Sequence, residues 1–159
     1  MILCANPSAQ FNSYQTEIEE AVLAVMRGNC YVLGEEVASL EKEFADYIGT
    51  TSAIGVANGT DAIELALRAL DVGFGDEVIT VSHTAVATIA AIEATGANAV
   101  LVDIESKYYT INPNQLEEVF SEKTRAIIAV HLYGQSDRAL LWTITCHGPR
   151  NEWVDGPPN

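Results

Sequence analysis

The chain has 159 residues, 22 of them acidic against 8 basic, for a formal net charge of −14. That length accommodates one domain with a buried core, and a 48% hydrophobic, 19% charged composition is that of a globular protein rather than a disordered one. The acidic excess argues against nucleic acid, whose phosphates need clustered Lys and Arg, and equally against an anionic membrane surface.

At the start of the chain, Met1 to Gln10 lacks the basic segment and long apolar run of a signal peptide. No window approaches the roughly 18 uninterrupted apolar residues of a membrane span. Apolar residues at Ile18, Ala21, Val22, Val25 and Met26 predict a helix over Glu17–Arg27, stopped by Gly28. Val37, Leu40, Phe44, Tyr47 and Ile48 predict a second, ended by Gly49. The run Ala53-Ile54-Gly55-Val56-Ala57 reads as a short strand before Asn58-Gly59. Ala62, Ile63, Ala66, Leu67 and Leu70 give a helix, Glu77–Val81 a strand, Val86–Thr95 a helix and Ala99–Val102 a strand. Asn112-Pro113 opens a helix through Leu116, Val119 and Phe120, and Ala126–Val130 is a further strand. Beyond Gln135 the alternation stops. Ser136–Asn159 holds both tryptophans and three of the five prolines, with only Leu140–Ile144 able to form a short element.

Strands alternating with helices predict an α/β fold: a parallel-rich sheet with helices on both faces. Ligands bind such sheets at the carboxyl ends of the strands. That directs attention to Asn58–Asp61, Ser82–Ala85, Asp103–Glu105 and His131–Gln135. In Asn58-Gly59-Thr60-Asp61, Gly59 permits close backbone approach, and Thr60 offers a hydroxyl and a helix cap. The amides of the first turn then suit a phosphate. An ordinary N-cap at Thr60 or Asp61 explains the same residues without a ligand, and spacing alone favours that explanation. The turn is neither a Walker loop nor a dinucleotide fingerprint. His83 could stack on a ring or simply be solvated, and Asp103 reads first as turn chemistry. Cys4, Cys30 and Cys146 are odd in number and scattered, so neither a disulfide framework nor a metal site is expected, and the location expected is cytoplasmic.

Taken in order, several stretches resemble the DegT/DnrJ/StrS family of sugar aminotransferases, fold-type-I enzymes that use pyridoxal 5′-phosphate. They are Asn29–Gly34 with Glu36-Val37, Phe44–Gly49, the GVANGTDAIELALRA run from Gly55 to Ala69, Gly75–Thr80 (GDEVIT), Val102–Ile104, Lys123–Ile128 and His131–Gln135 (HLYGQ). The resemblance covers about Asn6 to Gln135. It implies an incomplete fold-type-I large domain over 1–135, with 136–159 a divergent tail left by a frameshift or truncation. It implies that Gly59, Thr60 and Asp61 hold the cofactor phosphate. In the loop after GDEVIT many members carry an aromatic ring that stacks on the cofactor. The nearest match to that position is Ala85, and His83 is the flat side chain implied to face the ring. Tyr133 and Gln135 are implied to lie in the substrate region.

The reaction implied is transfer of an amino group, usually from glutamate, to a nucleotide-linked keto-sugar, in a homodimer with the site at its interface. In the family a lysine holds the cofactor as a Schiff base and an Asp pairs with the pyridinium nitrogen. The lysines here, Lys42, Lys107 and Lys123, lie on a helix face, in the Ser106–Tyr108 turn and before a strand, and none matches in context. Glu152 and Asp155 do not match the pyridinium partner either. No catalytic residue is therefore assigned, and the expectation is a polypeptide inactive alone. The alternative is a non-catalytic binding or assembly module that pairs with an intact family member. A different α/β phosphate-binding protein is disfavoured by the HLYGQ stretch.

Overall fold

A computed structural model describes residues 5–134 and 145–146. The chain divides into two compact units, Met1–Gly55 and Val56–Asn159.

The described part of the first unit is helical: α1 (Pro7–Ser13), α2 (Gln15–Arg27) and α3 (Glu35–Ile48). The sequence reading misses α1, because seven mostly polar residues carry no apolar period. Its local signal is a cap: Asn6 Oδ1 accepts the Ala9 N–H at 3.2 Å and Pro7 occupies the first turn. Helices α2 and α3 follow the predicted spacing, α2 starting three residues before Ile18 and α3 two residues before Val37. Gly49 ends α3 at φ +81°, the left-handed conformation that lets its N–H reach the Ala45 carbonyl at 2.9 Å.

The predicted strand at Ala53–Ala57 does not form. A strand needs a neighbour to satisfy its N–H and C=O groups, and the Gly55 N–H instead donates to the Glu41 carboxylate at 2.7 Å. Ile54 is 81% exposed, so its apolar side chain finds no core to join.

The second unit runs α4 (Gly59–Ala69), β1 (Glu77–Val81), α5 (Val86–Thr95), β2 (Asn98–Val102), α6 (Pro113–Val119), β3 (Thr124–Ile127) and β4 (Thr145–Cys146). The sheet order is β2-β1-β3-β4. Strand β1 pairs in parallel with β2 and β3, and β4 joins β3 antiparallel. The fourth predicted strand, Ala126–Val130, instead runs Thr124–Ile127. One further bond, Ile128 N–H to the Ile79 carbonyl at 2.8 Å, carries the pairing with β1 one residue beyond β3.

Side chains alternate across β1, and this sorts two cores. Val78 packs with Leu67 of α4, Ile92 of α5 and Ala126 of β3. Ile79 and Val81 pack on the opposite face with Leu116 of α6, Ile111, Val102 and Ile127. The strand EVITV is buried from Val78 to Val81 without in–out alternation because both its faces are covered. Helices therefore lie on both faces, as the alternation predicts. At the amino edge Arg125 Nε meets Asp76 Oδ1 at 3.2 Å. That pair is partly exposed and worth little by itself.

Candidate functional site

The chain leaves β1 through α5 to β2 on one side, then crosses back through α6 to β3 on the other. Right-handed crossovers in opposite directions place α5 and α6 on opposite faces, and their loops part at the carboxyl ends of β1 and β3. The segments that follow these strands carry His83 and Tyr133. Although 50 residues apart, they meet: His83 Nε2 and the Tyr133 hydroxyl are 3.0 Å apart, with ring centroids at 5.8 Å.

A third ring, Tyr109, joins them. Its centroid lies 6.3 Å from that of His83 and 5.9 Å from that of Tyr133, edge-on to the latter at 81°. Sequence reasoning misses Tyr109, because it follows a turn rather than a strand. The loop that bears it leaves β2 and is closed by an isolated bridge between Ile104 and Ile111. Lys107 in the same loop lies over the Tyr108 ring, its Nζ 4.7 Å from the centroid. His83, Ile104, Lys107, Tyr108, Tyr109 and Tyr133 together line an open recess.

Helix α4 is connected to the start of β1 by a short turn and packs on the sheet through Leu67, so it runs against the strand direction. Its first turn thereby points to the same carboxyl edge, and Ile63 and Val130 both pack on this core. The cap is Asn58, which corrects the expectation that Thr60 or Asp61 caps the helix. Asn58 Oδ1 accepts the Asp61 N–H at 3.0 Å, and its Nδ2 donates to the Asp61 carboxylate at 3.1 Å. Asn58 wins because its extended backbone sets it just outside the helix, where a short side chain reaches back to the third residue. Asp61 thus spends its amide on the cap. The amides of Gly59 and Thr60 and the Thr60 hydroxyl have no acceptor or donor among the described residues. A Cβ built on Gly59 meets nothing within 4 Å, so the backbone there opens onto free space.

Asp103 is bound up locally, as turn chemistry predicts. Its carboxylate accepts the Ile104 N–H at 2.8 Å, and its own N–H donates to Gln115 Oε1 at 2.8 Å. Ala85 sits at the N-cap of α5. Gln135, Glu152 and Asp155 lie outside the described residues, as does the Leu140–Ile144 element. Lys42 lies on α3 in the first unit and Lys123 at the amino edge, ahead of β3. Of the three lysines, Lys107 alone borders the recess. No group of three or more His, Cys, Asp or Glu suited to a metal occurs among the described residues. Among them, too, no helix is long and apolar enough to cross a membrane.

Comparison with known proteins gives this edge a context. A model of the DegT/DnrJ/EryC1/StrS aminotransferase family matches residues 12–140. A dTDP-3-amino-3,6-dideoxy-alpha-D-galactopyranose transaminase from Aneurinibacillus thermoaerophilus is 50% identical over 123 residues, 77% of this chain and 34% of that protein. The crystal structure of DesV from S. venezuelae, in complex with a ketimine intermediate, superimposes with a TM-score of 0.81 at 40% identity, covering 84% of this chain and 36% of that one. That of NtdA from Bacillus subtilis, with bound cofactor PMP, gives a TM-score of 0.77 at 31% identity, covering 80% and 29%. The chain therefore spans about a third of the length of the curated relatives it matches.

Proposed function

The chain belongs to the DegT/DnrJ/EryC1/StrS aminotransferase family, and from that premise we propose that it carries the phosphate-binding and ring-facing portion of a pyridoxal-phosphate-dependent sugar transaminase. The observation that carries the proposal is the open first turn of α4. Two amides and a hydroxyl without partners, beside a glycine facing free space, fit a phosphate dianion at a helix N-terminus. Gly59 and Thr60 donate to the phosphate. Asp61 acts indirectly, by anchoring Asn58 and so holding the turn open. His83, oriented by the Tyr133 hydroxyl, presents its ring to the cofactor. Tyr133 and Gln135 border the substrate. When bound, pyridoxal phosphate supplies an electron sink for moving an amino group between an amino acid and a keto-sugar.

The substrates proposed are an amino-acid donor, usually glutamate in the family, and a nucleotide-linked keto-sugar, in the cytoplasm and at the interface of a homodimer. The lysine chemistry is not proposed for this sequence. Lys42, Lys107 and Lys123 are exposed and stand outside the family's lysine context, so the 159-residue polypeptide alone is inactive. Residues 1–135 are the part that follows the family, and 136–159 a divergent tail.

Two measurements test this. Pyridoxamine 5′-phosphate, titrated into the full chain and followed by ³¹P NMR, binds saturably, competes with inorganic phosphate and binds more weakly to Thr60→Val. Absence of saturable binding sinks the phosphate reading. Borohydride treatment after adding pyridoxal phosphate labels no particular lysine. Stoichiometric label on one of the three overturns the assignment of inactivity.

A second reading, a non-catalytic module that pairs with an intact family member, is favoured by the apolar side chains exposed on the first unit. These include Val22 and Met26 on α2 and Leu40, Phe44 and Tyr47 on α3. Sedimentation of the chain mixed with an intact family member distinguishes it: a stoichiometric heterodimer supports the module, and independent sedimentation rejects it.

A further inference from the structure

Tyr109 adopts φ +59°, in the left-handed region that strains a residue with a bulky side chain and that Gly, Asn or Asp occupies more readily. The cause lies in the turn. Between the bridged residues Ile104 and Ile111 the chain must reverse within six residues, and the Tyr109 N–H closes back on the Glu105 carbonyl at 3.1 Å. The Glu105 N–H donates to the Thr110 carbonyl at 2.9 Å, and the Tyr108 N–H to the Glu105 carboxylate at 3.0 Å. Thr110 and Ile111 on the far side are buried, so the turn cannot relax by rotating outward. Turn geometry therefore asks for a left-handed residue at 109 and explains the backbone, yet it does not explain a tyrosine.

The side chain supplies the explanation. Of the described non-glycine residues with positive φ, Asp71 is a type that tolerates it and Leu33 has a largely exposed side chain. Tyr109 alone among the three touches both His83 and Tyr133 by ring contact. Strain kept at a residue whose side chain completes a cluster at the carboxyl edge of a sheet marks a functional demand. We propose that Tyr109 is a positioning residue: its ring restricts the His83 imidazole to the orientation in which Nε2 meets the Tyr133 hydroxyl. The Tyr109 hydroxyl makes no bond among the described residues, so the aromatic ring is the working part. The consequence for cofactor binding rests on the reading that His83 faces the cofactor ring.

Backbone and ring can be separated by substitution. Tyr109→Asn suits the left-handed backbone but removes the ring, whereas Tyr109→Phe keeps the ring. In the full chain the His83 Cε1–H and Cδ2–H resonances, assigned by comparison with His83→Ala, are expected to move toward free-imidazole positions in Tyr109→Asn. They stay at wild-type positions in Tyr109→Phe. The melting temperature of Tyr109→Asn holds or rises, which separates lost positioning from lost folding. Unmoved His83 resonances in Tyr109→Asn overturn the proposal, as does a Tyr109→Phe variant that shifts them equally. Pyridoxamine 5′-phosphate affinity then isolates the other reading. A several-fold loss in both Tyr109→Asn and His83→Ala supports His83 facing the cofactor ring. Unchanged affinity in His83→Ala overturns that role, while the resonance shift still decides the part played by Tyr109.

Discussion

The difference between Asn58 and Thr60 shows how one residue decides which amides of a turn stay open. Both have side chains able to cap a helix, but only Asn58 stands outside the first turn with extended backbone. Because it takes the Asp61 amide, the two amides nearer the end remain open. Removing this cap by Asn58→Ala is expected to cost about 1 kcal/mol, read as a lower midpoint in urea denaturation with an unchanged slope. Thr60→Val leaves no such deficit, since the Thr60 hydroxyl has no partner among the described residues to lose. A stability loss in Thr60→Val equal to that in Asn58→Ala contradicts this division of roles. From the letters alone, NGTDA allows a cap at several positions. The choice depends on where the helix begins, and that is set by the packing of α4 through Leu67.

At the scale of elements, β1 and α5 are legible from sequence and the segment at 53–57 is not. EVITV and VATIAAIEAT are apolar enough to be buried and are bounded by Gly75-Asp76, Ser82 and Gly96. Their observed ends, Glu77–Val81 and Val86–Thr95, agree with the pattern because burial on both sides leaves no competing register. AIGVA has the same apolar character, but a strand is a property of two segments, and among the described residues none pairs with it. Leu67, fully buried between α4 and the sheet, is the element-level test. Leu67→Ala is expected to lose about 2–5 kcal/mol in chemical denaturation. Gly49→Ala, which forces a Cβ into the left-handed cap of α3, is expected to lose about 1 kcal/mol and to lower the helical circular dichroism signal.

For the whole molecule, the distribution of burial predicts unequal local stability. Ala45 is the one buried apolar residue described in the first unit, whereas the second contains two cores that share β1. Amides of α2 and α3 are therefore expected to exchange with deuterium faster than those of β1 and α5, as resolved by mass spectrometry on peptides. Equal protection across both units would show that the first is covered by contacts in solution. The fold class and the edge of the sheet that carries the candidate site follow from strand–helix alternation, since handed crossovers leave few topologies to choose from. Of the expected site residues, Gly59, Thr60, Asp61, His83 and Tyr133 all fall at that edge. Their mutual contacts do not follow from position along the chain.

What the letters determine by themselves is the short-range physics: apolar period, caps, breakers and a charge balance that argues against nucleic acid and anionic membrane surfaces. They also carry the ordered motifs from which membership of an aminotransferase family can be read. Tertiary structure alone decides which groups meet. The His83–Tyr133 contact spans 50 residues, the ring of Tyr109 enters from a loop that follows a turn, and the open amides at Gly59 and Thr60 depend on Asn58 capping first. The physical reason is common to all three. Hydrogen bonds and ring contacts act over a few ångströms, so they are settled by the parallel pairing of β1 with β2 and β3, which brings distant loops to one edge.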